Sequence, residues 1–276
     1  ELHFDFGDLD KAPYYARFGI QYVPYGQYER HQIPATMTQL LTQTQAPALT
    51  LGYSGDNHVN AAVYLFNGKK KSGSANRINN GGLQVGYHTM GDGSELNLTA
   101  DVMHNIAGAV NYIVNNGATD ATKNPLNSGY KKTVSGVHLG AALKNGAWDT
   151  KLQYTRALKK FDASDLNWQG QGARPSALTF GAGYSFDGLY ELPTRIGGSY
   201  QQSWQAVHLR GQNQNSNTNN GRGLPKHRLQ GDLTMDVYQN IEAGMHLVWD
   251  KDYKSNVGGT GRRSWTGLLT LRVLFG

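Results

Sequence analysis

The final stretch of the chain limits its fold more tightly than any other feature. Between 264 and 275 two sets of residues alternate. Trp265, Gly267, Leu269, Leu271, Val273 and Phe275 share one parity, and Ser264, Thr266, Leu268, Thr270, Arg272 and Leu274 share the other. Successive side chains of a β-strand point to opposite faces. One face is therefore continuously apolar with aromatics at both ends, and the other carries Thr and Arg. A strand of this length, apolar on one side only, suits a wall between lipid and a polar interior.

The pattern recurs upstream. In 240–251, Ile241, Ala243, Met245, Leu247 and Trp249 alternate with Glu242, Gly244, His246, Val248 and Asp250. Segments 14–22, 94–103, 147–157, 176–187 and 226–238 alternate in the same way, and 1–8, 46–54, 58–66, 77–89, 133–144 and 193–207 do so more weakly. These make thirteen strand candidates. The connections alternate too. Short ones carry Gly, Asn or Asp, as in Gly91-Asp92-Gly93, Asn145-Gly146 and Gln239-Asn240, the chemistry of tight hairpin turns. Long ones fall at 24–45, 67–76, 104–132, 158–174, 208–225 and 252–262. Short inner turns and long outer loops are how outer-membrane barrels are built.

The fold class implied is all-β: a transmembrane, antiparallel, up-and-down outer-membrane β-barrel formed by one domain over 1–276. Barrels of this kind in bacteria have an even number of strands. Thirteen candidates with an inner C-terminus therefore imply about fourteen strands, one of them ahead of Glu1. The localisation implied is the bacterial outer membrane. Residues 1–6 do not read as a signal peptide, so the chain reads as mature or trimmed.

Composition is compatible once the one-faced pattern is seen. Only 38% of residues are hydrophobic and mean hydropathy is −0.55, since half of each strand can be polar. There is no cysteine, which excludes disulfides and cysteine-ligated metal. The net charge is +6. The basic residues collect at the long-loop end, in Lys69-Lys70-Lys71, Lys131-Lys132, Lys159-Lys160, Lys226, Lys251, Lys254 and Arg262-Arg263, with Lys11 and Lys144 at the other end. Contact with lipopolysaccharide phosphates and steering of anionic solutes both fit such a rim. Nucleic-acid binding does not, because no reading module accompanies the charge.

The lumen parity supplies the candidate pore-lining or solute-binding residues: Arg17, Gln21, His88, His138, Lys151, Arg195, Arg228, Asp232, His246 and Arg272. Their mixed signs suggest cross-strand pairs. No catalytic residue, cofactor or metal site is expected. His246 and Asp250 share a face, yet four strand residues separate them by about 13 Å. Local spacing suggests no nucleophile, base and orienter trio, so an enzyme is not expected.

The segment Gly19-Ile20-Gln21-Tyr22-Val23-Pro24-Tyr25-Gly26-Gln27-Tyr28-Glu29-Arg30-His31-Gln32-Ile33-Pro34-Ala35-Thr36-Met37 resembles the strand-exit segment of the legiobactin-type siderophore porins of Legionella and other Gammaproteobacteria. Tyr25 and Tyr28 stand at that family's Phe positions, and Ile33-Pro34-Ala35-Thr36 departs from its loop. Asn105-Ile106-Ala107 is a second similar stretch. The resemblance implies an outer-membrane channel for passive uptake of ferric siderophore, without a TonB-driven plug. It also implies an N-terminal helical or coiled-coil extension that this chain lacks. A general or anion-preferring diffusion porin is the alternative, and a structural barrel within an envelope complex a second. The partners implied are outer-membrane lipid, lipopolysaccharide and a small solute, with oligomeric state open.

The same segment reads physically. Pro24 ends a ladder because it has no N–H, and Gly26 lets the chain bend. Tyr22, Tyr25 and Tyr28 are expected at headgroup level. Residues 34–46 suggest a short helix across the mouth or into the lumen, with Met37, Leu40 and Leu41 as constriction candidates. Tyr112, in the apolar 104–132 loop, is another.

Overall fold

The computed structural model describes residues 2–26, 28, 35–55, 58–68, 71, 78–108, 130–209 and 223–273. Tyr112 lies outside the described residues. The first strands are β1 (Leu2–Phe6), β2 (Tyr14–Tyr22), β3 (Gln45–Ser54), β4 (Val59–Phe66), β5 (Asn80–Gly91) and β6 (Ser94–Met103). Then come β7 (Gly136–Asn145), β8 (Trp148–Ala157) and the two-residue pieces β9 (Asn167–Trp168) and β10 (Gln171–Gly172). The chain ends with β11 (Ser176–Asp187), β12 (Pro193–Trp204), β13 (His227–Tyr238), β14 (Ile241–Lys251) and β15 (Arg263–Val273). One helix, α1 (Met37–Thr42), lies between β2 and β3.

Thirteen strands form one antiparallel sheet in strict up-and-down order, from β1 at one edge to β15 at the other. The β9–β10 hairpin stands apart, inside the long connection after β8. Each alternating segment of the sequence appears as a strand, and among the described residues no helix is long and apolar enough to cross a membrane. The chain is an outer-membrane-type β-barrel, and the alternation of faces read from sequence holds along its strands, save for a register shift between Asp236 and Tyr238. Leu152, Phe180, Tyr200, Leu229 and Leu247 stand exposed on the outer face, while Gln153, Thr179 and Gln201 are buried on the inner one.

The tight turns follow from local chemistry. Asp92 and Gly93 both take positive φ (48° and 75°), which the right-twisted two-residue hairpin requires. The β1 and β15 edges run in the same direction, because an odd number of antiparallel strands separates them, and among the described residues no ladder joins them. Outer side chains on an edge strand are less covered than those paired on both sides. Leu269 is 85% exposed on β15, against 49% for Leu229 on β13, which is paired on both sides.

The apolar core lies inside the barrel rather than between layers. Val23, Tyr25, Met37, Leu41, Tyr64, Phe66, Met103 and Ile106 cluster toward the long-loop end. Segments leaving β2 and β6 turn inward and cover the wall there. Toward the short-turn end the inner face carries charged pairs instead.

Candidate functional site

The site is built by the chain between β2 and β3. β2 stops at Tyr22 and is followed by Pro24, which has no N–H to continue a ladder. Gly26 then takes φ +83°, a left-handed turn that aims the segment into the lumen. Its N–H donates to Asp101 Oδ2 at 2.9 Å. The same oxygen contacts His138 Nδ1 at 2.8 Å, and both side chains are fully buried. The His138 ring packs edge-on to Tyr25 and Tyr28, at 6.4 and 5.7 Å between centroids. Tyr25 and Tyr28 thus point into the lumen. The headgroup position expected for them is wrong, and Tyr22 alone of the three lies on the outer face. Tyr25 keeps the lumen-facing parity of Gln21 and Val23, and the left-handed turn at Gly26 then brings Tyr28 inward as well.

Helix α1 follows. Thr36 caps it, its hydroxyl accepting the Gln39 N–H at 3.2 Å. One face is tied to the polar wall of β8, β11 and β12. The Met37 N–H donates to Gln201 Oε1 at 2.7 Å, and the Thr38 hydroxyl donates to Gln153 Oε1 and meets the Thr179 hydroxyl, both at 3.0 Å. The Thr42 hydroxyl bonds Tyr28 and donates to the Thr38 carbonyl at 2.8 Å. On the other side Arg228 Nη1 donates to the Ala35 carbonyl at 3.1 Å. Met37 and Leu41 are buried and Leu40 packs against them. The three helix residues singled out from sequence therefore lie together inside the barrel, on a segment held by hydrogen bonds to four strands of the wall.

The wall residues fall into two groups. Four arginines form cross-strand pairs. Arg17 forks onto Asp5 and Arg228 onto Asp250, each directly opposite in register. Arg272 lies 3.5 Å from Glu242. Arg195 on β12 reaches across β11 to both oxygens of Asp149 on β8, and to Asp232 on β13 at 2.6 Å. That reach needs glycine. A Cβ on Gly183 would sit 2.2 Å from the Arg195 guanidinium, and one on Gly197 2.6 Å from it.

The second group consists of single polar residues. Gln21 donates to the Ala48 carbonyl at 3.0 Å and accepts from Thr50. His88 lies 3.4 Å from Glu95, and His246 Nε2 is 3.1 Å from the Thr270 hydroxyl. Lys151 lines a cavity of about 260 Å³ with Tyr28, Asn97, Thr99, Gly140 and Gln153, below the inward segment. Sequence reasoning missed Thr36 as the helix cap and Thr38, Asp101 and Gln153 as anchors. Asp101 and Gln153 were visible by lumen parity, but their partners come from a loop whose path parity does not give. Among the described residues no cluster of His, Cys, Asp or Glu could hold a metal ion.

No family model matches the chain. It is 30% identical over 261 residues to a UPF0422 protein of Coxiella burnetii, covering 92% of this chain and 51% of that protein. It is 26% identical over 257 residues to a UPF0422 protein of Legionella pneumophila, covering 90% and 45%. The chain thus spans about half the length of the curated relatives it matches. Among solved structures it is similar to the anion-selective porin from Comamonas acidovorans, with TM-score 0.58 and 13% identity over 95% of this chain and 74% of that one. Sequence thus relates this chain to UPF0422 proteins of Coxiella and Legionella, and structure gives it the fold of a porin.

Proposed function

We propose that this protein is a porin-type channel of the bacterial outer membrane, passing small solutes by diffusion through a lumen narrowed by residues 35–44. The observation that carries this reading is the anchoring of α1 to the inner wall. A loop that bonds Gln201, Gln153, Thr179 and Arg228 across the lumen is placed to set its width. The fold of the Comamonas porin supports the same reading. By the length rule the long connections face outward and the short turns face the periplasm. A further strand, antiparallel to both β1 and β15, would complete the wall at fourteen.

The solute follows from the strand-exit resemblance: a ferric siderophore, taken up without an energised plug. The test is planar-bilayer conductance of the refolded protein, with and without a ferric chelate. Stepwise current that the chelate blocks supports siderophore passage, and current indifferent to it supports a general diffusion porin. Deleting residues 36–43 should raise the conductance. Absence of any current would sink the channel reading in favour of a structural barrel.

A further inference from the structure

The two ends of the barrel carry opposite charge. At the short-turn end the described lysines and arginines sit beside acids. Lys11 pairs with Asp8, Arg17 with Asp5 and Arg272 with Glu242, and Lys144 stands opposite Glu95 in register. Arg195 is shared by two carboxylates, Asp149 and Asp232. Beyond those pairs stand Asp10, Asp92, Asp187, Glu191 and Asp236. Two of these, Asp187 and Asp236, line a cavity of about 420 Å³ at the lumen mouth, together with Glu242.

The long-loop end is the reverse. Lys131, Lys132, Lys159, Lys160, Arg262 and Arg263 are all exposed there. The described acids at that end are largely engaged. Asp250 takes the Arg228 fork, Asp165 accepts the N–H groups of Lys131 and Lys132, and Asp252 accepts from Thr260. Strands of this length separate the two mouths by roughly 25 Å. That is two to three Debye lengths at about 0.1 M salt, so the two fields act separately.

We infer that the barrel is a bipolar pore that rectifies, passing more current when the periplasmic side is positive than when it is negative. The inference rests on the channel reading above and on its orientation. Anions concentrate at the positive outer mouth and cations at the negative inner mouth. With the periplasm positive, each enriched ion is driven into the lumen from its own mouth, and carriers accumulate. With the opposite sign both are drawn out and the lumen is depleted. An anionic solute entering from outside meets the attractive mouth first and a repulsive one last, so the inner acids limit its exit.

The experiment is single-channel current at equal and opposite voltages, first in about 1 M salt and then in about 0.1 M. The chain has no cysteine, so Ser255→Cys places one thiol on the long-loop side. Biotinylating it and adding streptavidin to one chamber reports which way each channel faces. Current in 1 M salt establishes that the pore conducts. Its absence would sink the channel reading, and this inference with it. The expected result is a roughly two-fold asymmetry at 0.1 M that shrinks toward unity at 1 M, where the Debye length is about 3 Å. In Asp187→Asn/Asp236→Asn the asymmetry should fall, with the 1 M conductance unchanged. A conducting pore with symmetric current at low salt overturns the inference. So does an asymmetry of the opposite sign, or one that survives both 1 M salt and the double substitution.

Discussion

The backbone N–H of Met37 donates to the side-chain oxygen of Gln201 at 2.7 Å, across 164 residues of sequence. Gln201 is fully buried on β12 and its amide nitrogen donates onward to Ser199 Oγ at 3.0 Å. Gln201→Leu would leave a buried N–H with no acceptor, at a cost of about 1–3 kcal/mol to this anchor. We expect a noisier and larger single-channel current, with the folded barrel retained. Gln201→Glu keeps an acceptor and should keep the quiet current. Equal currents from both variants would show that the helix is not held by this bond.

Asp101 serves the same segment from β6. It accepts the Gly26 N–H and faces His138, and the Asp101 and His138 side chains are both buried. Asp101→Ala takes the acceptor from both groups at once, and leaving a buried hydrogen-bonding group unpaired costs about 1–3 kcal/mol. The expected outcome is a lower urea midpoint in detergent for the inner-loop transition, followed by the fluorescence of nearby residues. Asp101→Leu/His138→Phe removes both polar groups and should recover part of that loss, though not the part owed to Gly26. A double variant as unstable as the single would show that the cost lies in packing.

Gly183 predicts a different defect. Its missing side chain is the space through which Arg195 reaches Asp149. In Gly183→Ala the new methyl would meet both the guanidinium and the carboxylate, so these half-exposed side-chain ends must shift, at about 0.2–1 kcal/mol, the worth of such a pair. The substitution changes no net charge, so the reversal potential under a salt gradient should stay the parent's while the urea midpoint in detergent falls slightly. An unchanged midpoint with intact Arg195–Asp149 contacts would mean that the wall shifts to accept the methyl.

The wall and its partners were legible to different degrees for a physical reason. Strand parity is a local, period-two signal, so Leu229 and Arg228 could be assigned to opposite faces from their neighbours alone. The pairs Arg17–Asp5 and Arg228–Asp250 follow once adjacent strands are in register. Tyr25 follows the lumen parity of Gln21 and Val23, but Tyr28 could not be placed in this way, because a single left-handed residue, Gly26, changes where the chain goes. Nor could the Thr38 contacts to Gln153 and Thr179, which join residues more than a hundred positions apart. Such contacts depend on how far the loop enters the lumen, and no local pattern encodes that depth.

Tyr253 gives a pH-dependent prediction outside the membrane-spanning strands. It lies just beyond β14 in the last long connection. Its hydroxyl bonds Ser203 at 2.8 Å and accepts the Ala206 N–H, and its ring meets Trp168 edge-on at 5.6 Å. Burial pushes its phenol up to about 12. Because the folded value is raised, the contribution to stability is whole below the ordinary tyrosine range, near 10. It is lost as pH rises through 12, since the unfolded chain gives up the proton first. Across that window the loss amounts to no more than about 3 kcal/mol. Ultraviolet difference titration should show one tyrosine ionising near 12 that disappears in Tyr253→Phe. The variant should also lose about 0.5–1.5 kcal/mol at neutral pH, the value of the missing hydrogen bond. Its stability should then fall less steeply than the parent's between pH 10 and 12. A parent and variant that decline in parallel would show that Ser203 and Ala206 do not hold this loop through the phenol.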